Sequence, residues 1–335
     1  MTMKILLVQT SYMGDVVLST PVIAGLKSLH PESELWVMTT PQAAPLIAAD
    51  PMVKGVITFD KRAAERSLSG LLAKSTELKG HHFDRAYSLH RSARTTLMLR
   101  LAGIGRRIGF KEASLSFFYH DRPTRSGQRH AVLRNLAILS AETELQSLPS
   151  DLRLFVAPEN SLAKSLPSLG KNYILLVPGS AWKTKMWHWS GYRELVEHYL
   201  SKGQTVVVAG VKEDKQICDQ ICAGTKASNL AGELGLSGFV KLVSQAGLVF
   251  CNDSLALHIT SAFKVPTVAI FCATSPAFGF GPWRNPKAVV VEKSGLWCKP
   301  CRPHGGNRCP SGTESCMRDL STSEVLAAAS GVLEQ

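Results

Sequence analysis

The feature that most constrains the fold is an alternation of short apolar runs with segments of helical periodicity, which occurs twice along the chain. Apolar runs begin near residues 4, 34, 55 and 83 in the first half, and near residues 173, 205, 248 and 267 in the second. Continuous apolar runs of this kind are typical of strands buried on both faces of a parallel sheet. The alternation therefore predicts an α/β protein made of two doubly wound parallel sheets that face each other across a cleft.

The alternation is interrupted once, in a chain of 335 residues that is too long for most single domains. Between residues 157 and 171 the pattern weakens, and proline, serine and glycine accumulate as in a linker. We therefore expect one domain over residues 1–160 and a second over residues 171–320, followed by a C-terminal helix over residues 321–335. The second domain includes a cysteine-rich segment, residues 298–316.

The composition is that of a soluble globular protein, with 45% apolar and 19% charged residues. The chain has no apolar run of about eighteen residues and no signal-peptide pattern at its start, so we expect a cytoplasmic protein. Its formal charge of +12 favours an anionic partner, such as a nucleotide, a phosphorylated glycolipid or a membrane surface. We expect no nucleic-acid partner, because zinc-finger spacing, RNP-like strands and dense Lys/Arg helices are missing from the sequence.

A predicted strand-to-helix turn in the second half combines polar residues that suit anion binding. The apolar run from residue 248 passes through Asn252, Asp253 and Ser254 into a helical pattern that contains His258. Asp253 or Ser254 can cap this helix, and the free N–H groups of a first helical turn bind anions at the carboxyl edge of a sheet. The alternative is purely structural: the two residues are an N-cap, and His258 is a hydrogen-bonded core residue.

Two turns in the first half have the same form. Gly14 and Asp15 follow the first apolar run, where the glycine permits a tight turn or a close ligand and the aspartate stands at the start of a helix. His90, Arg91 and Ser92 follow the run from residue 83 and so fall on the ligand-facing edge of the predicted sheet. For Asp15 the alternative is again an N-cap.

The loop over residues 178–187 is the strongest further motif. It follows a predicted strand and contains Gly179, Ser180, Thr184 and Lys185, whose N–H groups, hydroxyls and positive charge suit a diphosphate. It lacks the spacing of a P-loop, and the alternative is a solvated basic loop. Glu213, beyond the next strand, is placed to accept hydrogen bonds from ribose hydroxyls.

Together these motifs resemble those of the ADP-heptose:lipopolysaccharide heptosyltransferases, which are glycosyltransferases of the GT-B fold with two Rossmann-like domains. The resemblance spans essentially the whole chain, and its motifs lie at strand ends. It is carried, in chain order, by Gly14-Asp15, His90-Arg91-Ser92, Arg107-Ile108-Gly109-Phe110, Pro178-Gly179-Ser180 with Thr184-Lys185-x-Trp187, Gly210 with Glu213, and Asn252-Asp253-Ser254 with His258. The cysteine-containing tail is similar to that of the heptosyltransferase II branch. One departure is Leu255, where the family usually has glycine, which puts the donor pose in question.

The resemblance implies an inverting transfer of L-glycero-D-manno-heptose from ADP-heptose to the heptose of the lipopolysaccharide inner core. It implies that Asp15 is the general base for the acceptor hydroxyl, and that Lys185 neutralises the charge that develops on the leaving diphosphate. The partners would be ADP-heptose and a lipid A-core acceptor. The protein would be cytoplasmic and peripheral to the inner membrane. No cofactor would be required for catalysis.

The resemblance also implies roles for the other motif residues. Ser180 and Thr184 would help Lys185 hold the diphosphate, and Glu213 would bind the adenosine ribose. At the other turn of this half, Asp253 would face the heptose hydroxyls, while Ser254 and His258 would hold phosphate. In the basic first domain, the residues expected to bind the acceptor are Gly14, His90, Arg91 and Arg94.

Four cysteines in the tail are candidates for a structural zinc site. Cys298, Cys301, Cys309 and Cys316 have the spacing C-x2-C-x7-C-x6-C, which is compact enough for a closed tetrahedral site. The second pair lacks the CxxC spacing, so reduced thiols that serve packing are the alternative.

Three alternative functions stay open at this point. A GT-B sugar-nucleotide epimerase would share the fold but convert the nucleotide sugar without a lipid acceptor, and another heptosyltransferase would use a different core acceptor. A basic membrane- or nucleic-acid-binding protein without enzymatic activity would show salt-sensitive binding and no turnover.

Overall fold

A computed structural model of the chain describes residues 2–61, 63, 65–125, 130–156 and 172–333. The chain divides into two compact units, Met1–Phe155 and Val156–Gln335. The helices and strands of the first unit are β1 (Lys4–Val8), α1 (Met13–Val17), α2 (Thr20–Leu29), β2 (Glu34–Thr39), β3 (Gly55–Thr58), α3 (Leu68–Gly80), β4 (Arg85–Ser88), α4 (Ala93–Leu101), β5 (Arg106–Gly109) and α5 (Ala131–Leu136).

The sheet of the first unit is parallel, with the strand order β3-β2-β1-β4-β5. Its central strand, β1, is an apolar run whose residues 5–8 are buried, because helices cover both faces of a doubly wound sheet. Successive strands are added on one side of β1 and then, from β4, on the other. Such a switch in strand order opens a crevice at the carboxyl ends of the two central strands, here β1 and β4.

The second unit repeats this plan with six parallel strands. Its elements are β6 (Ile174–Val177), α6 (Trp189–Ser201), β7 (Val206–Val208), α7 (Lys215–Cys222), β8 (Ser228–Asn229), α8 (Leu236–Gln245), β9 (Leu248–Asn252), α9 (Leu255–Phe263), β10 (Thr267–Ile270), β11 (Ala288–Val291), α10 (Ser315–Arg318) and α11 (Thr322–Leu333). The strand order is β11-β10-β9-β6-β7-β8, which puts the switch point between β6 and β9.

The core of the second unit forms because alternate strand residues share one face of its sheet. Side chains from β6, β9 and β10 on that face pack with those of α6, α7 and α11. Trp187 is buried in this cluster, where its indole N–H donates to the carbonyl of Leu320 at 3.0 Å. The predicted C-terminal helix is thus present as α11 and belongs to the core of this unit.

The two Rossmann-like sheets confirm the predicted α/β class, whereas some expected elements differ. The sequence pattern over residues 41–49 also predicts a helix, but this stretch holds only a single 3-10 turn, Ala44–Leu46, because Pro45 cannot donate a helical hydrogen bond. The basic segment after residue 63 predicts a helix that begins there, but the helix begins at Leu68, where the Ser67 hydroxyl caps it by accepting from the N–H of Gly70 at 3.0 Å. The predicted linker, residues 157–171, lies outside the described residues. Within the described ranges no helix has the length and apolar character needed to cross a membrane.

Candidate functional site

The switch point of the second unit brings two distant predicted motifs into contact. β6 and β9 are adjacent, with Val177 opposite Cys251, so the loop after β6 meets the turn after β9. Lys185, from the loop, places its ammonium nitrogen 2.7 Å from the Oδ2 atom of Asp253. Both side chains are largely buried, with exposed fractions of 14% and 6%. The alternative of a solvated basic loop is therefore wrong for Lys185, which forms a buried ion pair.

Further polar contacts fix the position of Asp253. The hydroxyl of Thr274, beyond the end of β10, donates to the same Oδ2 atom at 2.8 Å. The hydroxyl of Ser180 donates to the Asp253 carbonyl oxygen at 3.1 Å. Asn252 connects both ends of the loop, since its amide donates to the Pro178 carbonyl at 2.7 Å and accepts from the Trp187 N–H at 3.0 Å. The ends of three neighbouring strands thus form one hydrogen-bonded edge.

The first turn of α9 stands beside this ion pair. Ser254 is its N-cap residue, yet its side chain makes no capping hydrogen bond, and the Oγ atom is buried without a hydrogen-bond partner among the described residues. Asp253 does not cap the helix, because its carboxylate pairs with Lys185. A buried, unsatisfied hydroxyl at a helix N-terminus, next to a lysine, suits an anion with several acceptor oxygens. His258 lies one turn further along α9 and is 5% exposed.

The acidic residue nearest the loop is Asp214 rather than Glu213. Glu213 is exposed on a 3-10 turn, Lys212–Asp214. The Asp214 carboxylate instead packs against Gly179 and Gly210, where a Cβ atom on either glycine would collide with it. Burial raises the pKa of Asp214, and its Oδ2 atom accepts from the Val211 N–H at 3.0 Å. Sequence reasoning missed Asp214; the signal available was the glycine at each adjacent strand end.

The side chain of Thr184, which was predicted to help hold a diphosphate, instead points into the protein. It is 4% exposed, and its hydroxyl accepts a hydrogen bond from the Gly306 N–H at 2.8 Å. Its hydroxyl oxygen is thus engaged within the protein, in contrast to that of Ser254.

In the first unit, Asp15 lies in the first turn of α1, just beyond the end of β1. The N-cap residue of α1 is Tyr12, so the alternative that Asp15 is merely an N-cap is wrong. Gly14 has helical backbone geometry, and the tight turn expected of it is not needed. Asp15 is partly exposed at the carboxyl edge of the sheet, which is the position that a proton-accepting carboxylate requires.

The turn after β4 places the other predicted residues of this unit. The ammonium of Lys61 lies 3.0 Å from the Nε2 atom of His90. The Nδ1 atom of His90 lies 2.8 Å from the Thr95 hydroxyl. Burial, with repulsion from Lys61 and Arg91, lowers the pKa of His90 to about 4, so the ring is neutral at pH 7. Arg91 is exposed.

Arg94, predicted to bind the acceptor, is instead directed toward the protein. Its guanidinium donates to the backbone carbonyls of Glu65 and, at 2.6 Å, Ser67, and it lies over the ring of Phe59. These bonds connect the start of α4 to the start of α3. Arg94 is therefore a structural residue here, because its donors satisfy carbonyls that precede α3.

Two arginines that the motifs did not single out surround Asp15. Arg125 lies over the ring of Phe110, and Arg134 on α5 is 7% exposed. The pKa of each is lowered, mainly by burial and further by neighbouring arginines, and the negative charge of Asp15 opposes that shift in both. Both guanidinium groups remain charged at neutral pH. The result is a cationic patch beside the carboxylate, formed by Arg91, Arg125 and Arg134.

The four tail cysteines do not form the predicted zinc site as they are placed. Cys301 donates its S–H to the Cys298 carbonyl at 3.0 Å, and the Cys309 sulfur lies 3.3 Å from the Ser311 hydroxyl. Cys316 is buried, which raises the pKa of its thiol to about 11. All four are free thiols, and in the described part of the chain no three His, Cys, Asp or Glu side chains converge as metal ligands would.

Several known proteins are similar to this chain in sequence and in fold. The chain is 26% identical to lipooligosaccharide heptosyltransferase 2 of Haemophilus ducreyi over 311 residues, which covers 87% of this chain and 88% of the relative. It is also 26% identical to lipopolysaccharide heptosyltransferase 1 of Pseudomonas aeruginosa over 312 residues, covering 89% and 86%.

Solved structures agree in fold. ADP-heptose lipopolysaccharide heptosyltransferase II of Escherichia coli superposes with a TM-score of 0.78 at 24% identity and 99% coverage of both chains. The E. coli heptosyltransferase WaaC with ADP gives a TM-score of 0.78 at 19% identity, over 98% of this chain and 100% of that one. The fold is thus that of the GT-B heptosyltransferases. The family model described as Glycosyltransferase family 9 (heptosyltransferase) matches residues 72–307, and the chain therefore belongs to glycosyltransferase family 9.

Proposed function

We propose that this glycosyltransferase takes L-glycero-D-manno-heptose from ADP-heptose and transfers it, with inversion, to the heptose of the lipopolysaccharide inner core. The observation that carries the proposal is the buried Lys185–Asp253 ion pair beside the unsatisfied Ser254 hydroxyl at the start of α9. A cation, a hydroxyl and a helix N-terminus at one switch point suit the diphosphate of a nucleotide sugar. WaaC, a relative in fold, has been solved with ADP.

In this proposal the second unit holds the donor. Lys185, Ser254 and the first N–H groups of α9 bind the diphosphate, with His258 and Ser180 beside them. Asp253 keeps Lys185 in place and accepts hydrogen bonds from the heptose hydroxyls. We assign the ribose hydroxyls to Asp214 in place of Glu213, because the Asp214 carboxylate packs against Gly179 in the diphosphate loop.

The chemistry needs one base and one stabilised leaving group. Asp15 accepts the proton of the acceptor hydroxyl as that oxygen bonds to the anomeric carbon. The bond from the anomeric carbon to the diphosphate oxygen breaks in the same displacement, which inverts the anomeric configuration. Lys185 and the dipole of α9 stabilise the charge that develops on the departing ADP, so these residues supply the stabilisation that a metal ion supplies elsewhere.

The acceptor decides which heptosyltransferase this is. The relatives reported above include types 1 and 2 at equal identity, and the tail motif favours type 2. The test is transfer from ADP-heptose to purified core acceptors that carry either no heptose or one. We expect product only from the singly heptosylated acceptor; product from the heptose-free acceptor instead would assign a type 1 activity. Donor incubated without any acceptor should stay unchanged, whereas an epimerase would convert it.

The donor site is tested by Lys185→Ala with Lys183→Ala as a matched control, because both lysines lie on the same 3-10 turn and only Lys183 is exposed. We expect Lys185→Ala to weaken ADP binding by about 1–3 kcal/mol, the range for a hydrogen bond to a charged group. Lys183→Ala should leave it nearly unchanged. Calorimetry with ADP measures both, and equal affinities for the two variants would remove this donor site.

We further propose that the first unit contacts the anionic membrane surface where the lipid-linked acceptor lies. Leu68 and Leu72, one turn apart on α3, are 67% and 49% exposed, and Arg66 beside them is exposed. Exposed leucines next to basic side chains suit an anionic lipid surface.

Flotation with anionic vesicles is the test of this membrane contact. We expect salt-sensitive binding that a Leu68→Ser/Leu72→Ser variant loses. Trp297→Ser, which removes an 87% exposed side chain from the second unit, should keep it. Binding that is equal for neutral vesicles, or unaffected by the leucine changes, would contradict the contact.

A further inference from the structure

The turn that presents Lys185 is held from outside by the cysteine-rich segment. Among the described residues, the 3-10 turn Lys183–Lys185 has two local backbone bonds, from the Lys185 N–H to the Trp182 carbonyl and from the Met186 N–H to the Lys183 carbonyl. Its middle residue, Thr184, is bonded through both its N–H and its hydroxyl to one residue 122 positions away. The Thr184 N–H donates to the Gly306 carbonyl at 3.0 Å, and the Gly306 N–H donates to the Thr184 hydroxyl at 2.8 Å.

The neighbouring glycine touches the lysine itself. Gly305 has φ +74°, a conformation that favours glycine, and a Cβ built on it would stand 3.0 Å from Cγ of Lys185 and 3.3 Å from the Thr184 hydroxyl. That spacing is tighter than an ordinary carbon contact, so a side chain at this position would push on the stem of the lysine. The backbone of residues 305–306 therefore packs directly against the side chain that pairs with Asp253.

The Lys183–Lys185 turn and the cysteine-rich segment are also both bonded to the residue Ala273, just beyond β10. The Ala273 N–H, beyond β10, donates to the Thr184 carbonyl at 3.2 Å, and the Ala273 carbonyl accepts from the Cys301 N–H at 2.9 Å. Thr184, Ala273 and the segment from Cys301 to Gly306 thus form a closed set of backbone contacts. A shift of the segment from Cys301 to Gly306 would therefore displace the turn that carries Lys185, because these hydrogen bonds connect the two directly.

We propose that Thr184, Gly305 and Gly306 form a clasp that positions Lys185 for the donor diphosphate. Thr184 acts through the backbone clasp and does not itself contact the diphosphate. Gly305 is the residue that lets the clasp close over the lysine stem. This inference rests on the proposed role of Lys185 in donor binding, and it gives the cysteine-rich segment a function that needs no metal.

The test compares two glycines of the same segment. Gly305 and Gly312 have φ values of +74° and +72°, but a Cβ on Gly312 would meet nothing within 4 Å. Both alanine variants carry the same backbone strain, and only Gly305→Ala disturbs Lys185. We expect Gly305→Ala to weaken ADP binding roughly tenfold or more, as small displacements of positioning groups do. Gly312→Ala should stay within about twofold of the wild type.

A double-mutant cycle separates positioning from direct contact or general damage. In a Lys185→Ala background, Gly305→Ala should have no further effect on ADP affinity, because the group through which it acts is gone. The same holds for Thr184→Val, which removes the hydroxyl acceptor, while Thr184→Ser, which keeps it, should bind ADP nearly as the wild type does. Thr184→Val also serves if Gly305→Ala does not fold cooperatively.

The outcomes are distinct. Additive losses in the cycle would mean that Gly305 or Thr184 acts on ADP independently of Lys185, which overturns the clasp. Wild-type affinity in both Gly305→Ala and Thr184→Val would overturn it as well. If Lys185→Ala alone leaves ADP binding unchanged, the proposed donor site fails instead, so the two failures are told apart.

Discussion

The two switch points differ in how their charges are balanced. In the second unit, Lys185 is paired with Asp253, which also accepts from Thr274, and the buried ion pair is complete within the protein. In the first unit, Arg91, Arg125 and Arg134 lie near the carboxylate of Asp15, Glu112 lies near Arg125 as well, and the arginines repel one another. The second site is therefore preorganised before any ligand binds, whereas the first has an excess of positive charge that an anionic ligand would balance.

The charge distribution along the chain repeats this contrast. Residues 54–134 contain 17 basic and 6 acidic residues, so this stretch of the first unit carries a net +11 out of the +12 of the whole chain. An acceptor that bears phosphates, at an anionic membrane surface, would compensate such an excess. We propose on this basis that donor recognition relies on fixed hydrogen bonds and acceptor recognition on electrostatic attraction.

The largest expected effect comes from removing the Asp15 carboxylate beside the arginine patch. Asp15→Asn should lower kcat by roughly a hundredfold to ten-thousandfold, because the acceptor hydroxyl loses its base. ADP affinity should be retained, since the donor contacts lie in the second unit. Steady-state kinetics with calorimetry measures both, and Asp15→Glu, which keeps a carboxylate, is the control. Near-normal turnover by Asp15→Asn would contradict the role of Asp15 as the base, because the site of the first unit would then bind the acceptor without taking part in the chemistry.

The next effect tests whether the arginine patch attracts the acceptor. Arg125→Ala should raise KM for the core acceptor by roughly tenfold or more, the range for losing a hydrogen bond to a charged group, and high salt should shrink the difference. Arg122→Ala removes an exposed arginine three positions earlier and is the matched control. A changed KM for the donor with an unchanged KM for the acceptor would reverse the assignment of the two sites.

A third effect is on stability and concerns His90, whose ring lies near Lys61 and Arg91. Its folded pKa of about 4 lies below the ordinary value of 6.5, so the unfolded chain binds more protons between these pH values. Stability should therefore fall as pH decreases through this window, with a contribution of about 2 kcal/mol from His90 by pH 5. Urea unfolding at pH 7 and pH 5 measures the loss, which His90→Gln should reduce. An equal loss in the variant would mean that the pKa of His90 is not lowered in the folded state relative to the unfolded chain.

Much of the fold follows from local pattern, and much of the site does not. The apolar runs predicted β1–β4, β6, β7, β9 and β10 but not the apolar strand β11, and the polar residues after them predicted the turns at Asp15, His90, Lys185 and Asp253. The two-residue strand β8 was missed, because so short a segment has no periodicity to detect. We propose Asp214 rather than Glu213 as the ribose ligand, a choice that the sequence could not make because neighbouring carboxylates in one turn look alike until their side chains are placed.

The family match also decides between the alternatives that the sequence left open. Membership in glycosyltransferase family 9 makes the chain an enzyme and so contradicts the alternative of a basic binding protein without turnover. The predicted zinc site depends on side-chain directions, which the family match does not address. The spacing of four cysteines permits a tetrahedral site, but it does not dictate how their side chains are directed, and as placed they do not converge.

Local sequence patterns predict the two parallel sheets and the turns at which polar residues leave them, and they carry the resemblance that pointed to the family. These are properties of short stretches, where hydrophobic periodicity and capping chemistry act over a few residues. The packed fold alone shows that β9 lies beside β6, which brings Lys185 to Asp253, and that Gly306 bonds to Thr184 from 122 positions away. It likewise gathered Arg125 and Arg134 around Asp15. Such contacts depend on strand order and packing, which no local pattern specifies.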